Sequence, residues 1–227
     1  MRCILIAGIE SSGTSTVAGV LHHLGVYMGS KLRSPSKANV KGYYEDWTFL
    51  HIIGVHSWSN KEIRDPKARV RKWLEGRLEE NKNLCGLKYN EPLLNTKFDV
   101  IEELQKLSID VRFIIVKRPF EAIARSIALK RCKQPTDPEV WSKIPSKEAF
   151  LRRHIAELKQ TDIPLLEISY DRVVDFPAIE TEKLIEFCFE DLPRPEESQI
   201  ETALSFIEPK LRHWKKGTTR YDGTSTF

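Results

Sequence analysis

A three-layer α/β fold, with a central parallel sheet flanked by helices, is what this sequence predicts, on three observations. The chain opens on an apolar run, Cys3-Ile4-Leu5-Ile6-Ala7, of the kind required by a strand covered on both faces. Strand-length apolar runs then alternate with stretches of helical spacing, a pattern that implies parallel strands joined by helical crossovers. Last, the first run breaks at Gly8-Ile9-Glu10-Ser11-Ser12-Gly13-Thr14-Ser15-Thr16 directly into helical spacing at Val17, Val20, Leu21 and Leu24. A glycine loop and a helix N-terminus therefore follow the strand's carboxyl end, where open parallel sheets bind their ligands.

The remaining elements are read in order. Residues 25–45 are polar and contain Lys31, Arg33, Lys37 and Lys41, a loop long enough to be functional. Helices are expected over 46–58 and 66–81, the second opening on Asp65-Pro66 and striped by Val70, Trp73, Leu74 and Leu78. Leu84–Lys88 reads as a strand, and Asn95 as the cap of a helix carrying Phe98, Ile101, Leu104 and Leu107. Val111–Val116 is a clear strand that runs through Lys117-Arg118-Pro119 into a helix with Ile123, Ile127 and Leu129. A helix near 146–160, a strand at Leu165–Ser169 and helices near 178–190 and 196–207 complete a single domain over 1–214. A polar tail occupies 215–227.

Bulk properties narrow the function classes. A chain of 227 residues with 41% hydrophobic content suits one domain with a sizeable core. The opening apolar run is too short for a signal peptide, and no segment approaches the roughly 20 apolar residues of a membrane span. Cys3, Cys85, Cys132 and Cys188 are far apart and lack metal spacing, so they read as reduced thiols of a cytoplasmic protein, with no metal site. The net charge of +4 suits an anionic small ligand and gives no reason to invoke nucleic acid.

The loop after the first strand is the chemical centre. Gly8 and Gly13 are spaced as in the phosphate loop of a P-loop NTPase-like fold, but Thr14 stands where that loop carries its lysine. What remains is an anion cradle: unpaired first-turn N–H groups, the positive end of the helix dipole, and the hydroxyls of Ser11, Ser12, Thr14, Ser15 and Thr16 around Gly13. A second anion site is suggested by Arg118, a fixed cation at a strand end, with Ser126 about two helical turns on.

As an ordered set these pieces resemble the sulfotransferase family, and bacterial members most. The Ser11-Ser12-Gly13-Thr14-Ser15 loop, followed by Leu24-Gly25-Val26, is similar to that family's 5′-phosphosulfate loop and first helix. Asn39-Val40-Lys41-Gly42-Tyr43-Tyr44-Glu45 resembles a segment of the same group, and Arg118 with Ser126 its 3′-phosphate motif. Ile168-Ser169-Tyr170-Asp171 and Asp175-Phe176-Pro177 look like its late strand and turn. The resemblance implies 3′-phosphoadenosine 5′-phosphosulfate as donor, with adenosine 3′,5′-bisphosphate as product and no metal. The implied acceptor is a hydroxyl or amine of a small molecule or glycan.

Two departures bear on catalysis. The family usually has a basic residue immediately before Ser-Gly-Thr, and here that place is Ser11, beside Glu10. Lys88, at the end of the second strand, is the best compensating charge, ahead of Lys41 and Arg33. Many animal members place a histidine where Asn90 stands, whereas bacterial and Golgi relatives point to a glutamate, here Glu45, with Glu91 in reserve as general base. Glu45 also reads as an acid at a helix start, where the dipole favours it. His22 and His23 read as one surface and one packed imidazole, and Lys210–Lys216 as a solvated face in which Lys215-Lys216-Gly217 weakly resembles a nucleotide-closing loop. The acceptor pocket is expected from residues 25–45 and 131–147. Two other readings stay open on sequence alone: a nucleotide or small-molecule kinase, and a non-catalytic nucleotide-binding member of this fold.

Overall fold

The computed structural model describes residues 1–52, 66–79, 83–131 and 133–212. Among these, the sheet consists of β1 (Arg2–Gly8), β2 (Leu84–Lys88), β3 (Asp110–Lys117) and β4 (Leu165–Ser169), in the spatial order β2-β1-β3-β4. Every pairing is parallel. From β1 the chain moves outward to β2 and then returns to place β3 on the opposite side, so the strand order reverses at β1. That reversal opens a crevice at the carboxyl ends of β1 and β3.

The alternating strand faces divide the core in two. Cys3, Leu5 and Ala7 of β1 and Val111, Phe113 and Ile115 of β3 face one layer. That layer is built from α2 (Trp47–Ile52), α3 (Pro66–Glu79), α4 (Glu91–Lys106), α5 (Phe120–Lys130), α6 (Pro138–Ser142) and α7 (Ile144–Leu158). Ile4, Ile6, Ile114 and Val116 face the other layer, formed by α1 (Thr14–His23), α8 (Tyr170–Asp175), α9 (Pro177–Phe189) and α10 (Glu197–Phe206). Each fully buried Ile or Leu in these strands contributes roughly 1.5–3 kcal/mol, so the sheet is the rigid base on which the loops stand. The expected three-layer architecture is the observed one.

Some elements differ from expectation. α4 begins at Glu91, with proline in its first turn, rather than behind Asn95, which lies exposed one turn inside. The buried stripe of α4 is Leu93, Leu94, Val100, Ile101 and Leu104, and Phe98 is turned outward over the Lys97 ammonium. Lys97 takes the inward place because its charge is matched by the Leu94 carbonyl, His154 and Glu157. The short helices α6 and α8 carry too few periodic residues to be read from spacing. Asp65, Cys132, residues 53–58 of the first expected helix, 80–81 of the second and the tail from Lys215 lie outside the described residues. No described helix is long and apolar enough to cross a membrane.

Candidate functional site

Strand register decides which side chains meet. Gly8 pairs with Val116 and Ile6 with Lys88, so the glycine loop, Lys88 and Arg118 all leave adjacent strands at the same end of the sheet. They line one cleft of about 650 Å³ together with Thr14, Ser126 and Glu45, within the size range of small-molecule sites.

The loop is shaped for close approach. Gly13 has φ 96°, and a Cβ there would lie 2.1 Å from the Tyr170 ring, so both backbone and space demand glycine. Ser11 also takes a positive φ, 68°. The Thr16 N–H returns to the Gly13 carbonyl at 3.0 Å, which leaves the amides of Gly13, Thr14 and Ser15 without backbone partners among the described residues. The Ser11 and Ser12 hydroxyl oxygens are buried and also unpartnered. Ser12 is fully buried beneath the loop, its hydroxyl against Gly8, whereas Ser11, Thr14, Ser15 and Thr16 reach the cleft wall. Unsatisfied amides and a buried hydroxyl beside a helix N-terminus form a donor set that matches an oxyanion. Glu10, an acid that would oppose such a ligand, pairs instead with Arg131 at 3.6 Å.

Arg118 forms the second wall. Its guanidinium donates to the Ser11 carbonyl at 3.2 Å, lies 4.7 Å from the Tyr170 ring centroid and approaches Asp171 at 3.8 Å. Burial lowers its pKa below the ordinary arginine value, with Tyr170 and Asp171 opposing and Arg212 lowering it further. Ser126 on α5 is buried on the same cleft wall. Sequence reasoning missed Arg212, which it placed on a solvated face. Its side chain is 5% exposed, pairs with Asp175 at 2.6 Å and reaches Asp171 at 3.9 Å. An isolated arginine after a short polar turn left no periodic signal by which to find it.

Glu45 and Lys88 meet directly. Lys88 donates to one Glu45 oxygen at 2.6 Å and to the Ser15 hydroxyl at 3.2 Å, and Arg33 donates to the other Glu45 oxygen at 3.1 Å. Burial pulls the Lys88 pKa down, and Glu45 holds it up. The neighbouring acid, Asp46, performs the helix-start role. It accepts the Thr48 and Phe49 amides at the head of α2 and pairs with buried Arg77 at 2.7 Å. That anchor leaves Glu45 to face the cleft.

Asn90, far from any histidine's role, accepts the Thr14 hydroxyl at 2.7 Å and ties the loop after β2 to α1. Glu91 is on the cleft wall but paired with Lys147 at 2.5 Å. Residues 33–45 form a strap along the cleft wall, fastened by Lys41 to Glu208 at 2.7 Å and to the Phe206 carbonyl. Among the described residues, the expected acceptor segment 131–147 contributes only Arg131 to the cleft; Val140 and Ile144 pack into the core, and most of the rest is exposed. His22 is exposed and His23 half-buried against Phe206, as the sequence suggested.

No protein-family model matches this chain, and no curated protein matches it. Solved structures do. The sulfotransferase domain of the Synechococcus PCC 7002 olefin synthase is 14% identical, with 94% of this chain and 82% of that one covered at a TM-score of 0.55. The Mycobacterium tuberculosis sulfotransferase STF1 is 15% identical over 90% of this chain and 70% of that one, at 0.56. The sulfotransferase domain from the curacin biosynthetic pathway is 14% identical over 88% and 77%, at 0.50. The chain has the α/β fold of these sulfotransferase domains.

Proposed function

We propose that this protein is a sulfotransferase that moves a sulfuryl group from 3′-phosphoadenosine 5′-phosphosulfate to a hydroxyl or amine of a small molecule or glycan. The observation that carries the reading is the meeting of two donor groups suited to anions in one cleft: loop amides with the Ser11, Ser15 and Thr16 hydroxyls on one side, Arg118 with Ser126 on the other. Both groups line the same cleft, and the fold supports the same class.

The donor, when bound, supplies the sulfuryl group and a phosphate leaving group. The loop amides hold the 5′ end, while Arg118 and Ser126 hold the 3′-phosphate. Glu45 accepts the proton of the acceptor oxygen. The acceptor oxygen–sulfur bond forms as the bond from sulfur to the bridging oxygen breaks, and that electron pair stays on the nucleotide phosphate. Such transfers depend mainly on positioning and on neutralising charge. Lys88 has a dual part in this scheme. It reaches the loop through Ser15, and it holds the Glu45 carboxylate in place.

A thermal-shift comparison tests the reading, since a ligand that binds only the native state raises its melting point. Adenosine 3′,5′-bisphosphate without Mg²⁺ is expected to stabilise the protein more than ATP with Mg²⁺. A larger shift with Mg²⁺-ATP would favour the kinase reading and reject this one.

A further inference from the structure

The glycine loop brings no side-chain cation of its own: Thr14 follows Gly13, and Glu10, Ser11 and Ser12 precede it. A group transferred between oxygens still requires positive charge close to it. Most cations around the cleft are already engaged. Lys88 is neutralised by Glu45 at 2.6 Å, Lys41 by Glu208 at 2.7 Å, and Arg131 pairs with Glu10 at 3.6 Å. Arg118, which donates to the Ser11 carbonyl and lies near Asp171, is assigned with Ser126 to the 3′-phosphate. Lys37 is exposed on the strap.

Lys130 differs from all of these. It is the last residue of α5, four positions beyond Ser126 and so on the same helical face. It lies half-buried on the cleft wall, and among the described residues its ammonium makes neither hydrogen bond nor ion pair. Burial lowers its pKa, Glu10 opposes this, and Lys88 and Arg118 lower it further. Its charge is therefore felt from both walls of the cleft. Glu10 and Glu45 offset part of that repulsion, yet no carboxylate contacts the ammonium among the described residues, so an anion entering the cleft finds it open to pairing.

We propose that Lys130 supplies from α5 the positive charge that the loop lacks, contacting the sulfonate oxygens of the bound phosphosulfate. This rests on the sulfotransferase reading. The two phosphates of the donor already have hosts in the loop amides and in Arg118 with Ser126, which leaves the sulfonate as the anion without one. Lys130 transfers no proton; it neutralises charge on the moving group while the proton goes to Glu45.

The test uses two nucleotides that differ only by the sulfonate: 3′-phosphoadenosine 5′-phosphosulfate and adenosine 3′,5′-bisphosphate. Calorimetric affinities of the wild-type chain, Lys130→Met and Lys130→Arg are compared. Lys130→Met is expected to weaken the phosphosulfate by about tenfold or more, the loss of one charged hydrogen bond, and to leave the bisphosphate nearly unchanged. Lys130→Arg should recover most of the loss, and sulfate release from donor in water should follow the same order. Equal weakening of both nucleotides would overturn the inference, because Lys130 would then touch a group common to both. No change with either would remove Lys130 from the site and leave the donor reading intact. Wild-type protein that binds neither would reject the donor reading itself, and this inference with it.

Discussion

Replacing Glu45 with glutamine separates the electrostatic part of this site from its chemistry. The Lys88 and Glu45 side chains are 1% and 2% exposed, so neither charge is screened by water. Removing one member of such a pair costs about 3–5 kcal/mol because the other is left buried and uncompensated. The lower end applies here, since the new amide oxygen still accepts from Lys88. For a chain of this size each kcal/mol moves Tm by roughly 2–4 °C, so about 3 kcal/mol lowers it by roughly 6–12 °C. The variant also acquires a pH signature. Burial already lowers the Lys88 pKa, and without Glu45 to hold it up it falls further. The native state then binds fewer protons than the unfolded chain below the ordinary lysine value near 10.4, so stability rises with pH across that window. Differential scanning calorimetry from pH 7 to 9.5 should show Tm climbing more steeply in Glu45→Gln than in wild type. Adding Lys88→Met should restore much of the loss by removing the stranded charge. Binding of adenosine 3′,5′-bisphosphate should survive in the single variant while turnover of the phosphosulfate donor falls. A Tm within about 2 °C of wild type, with unchanged turnover, would refute both the pairing argument and the base assignment.

Arg118→Ala should weaken the bisphosphate by about 2–5 kcal/mol, the range for truncating one partner of a buried charge pair, while the fold persists because Arg212 still faces Asp171. Titration calorimetry showing unchanged affinity would take Arg118 out of the site. His23 and His154 both have pKa values lowered chiefly by burial, with His22 and Lys41 also lowering that of His23, Lys97 and Arg153 that of His154, and Glu157 opposing at His154. Below the ordinary histidine value near 6.5 the unfolded chain therefore binds more protons than the native one, and stability falls as pH drops from about 7.5 to 5. A Tm profile that is flat or rising on acidification over that window would contradict this account.

The sheet was legible because its signal is local. Strands covered on both faces read as apolar runs; β1 is such a run after Arg2 and β3 one broken only by Arg112, bounded by a glycine and by Lys117-Arg118-Pro119 respectively. The loop and Arg118 were legible for a related reason, since each follows directly from the end of a readable strand. The start of α4 was misread because Asn95 looks like a cap, whereas proline at position 92 after Glu91 already starts the helix. The direct contact between Lys88 and Glu45 has no local signature, as it joins residues 43 positions apart through a strap with no period. Arg212 and Lys130 were invisible for the complementary reason. A single basic residue at a chain turn or helix end looks like any solvated cation until the fold shows what surrounds it.

The strap places two tasks on one segment. Residues 33–45 line the cleft, and the same segment carries Glu45 and the Arg33 that holds it. Arg33 lies over the Tyr43 ring at 4.0 Å, and Tyr43 shares a hydrogen bond of 2.7 Å with Ser36. The orientation of the carboxylate is thus set by contacts that also shape the wall facing an acceptor. At the far end, Lys41 fastens the strap to Glu208 across the C-terminal side of the cleft. An acceptor that displaced the strap would loosen Arg33 from Glu45 and leave Lys88 as the principal partner of the carboxylate. An acceptor that fits beneath it leaves both contacts in place. On this arrangement the strap's contacts along the cleft wall and the orientation of the Glu45 carboxylate are set by the same few residues.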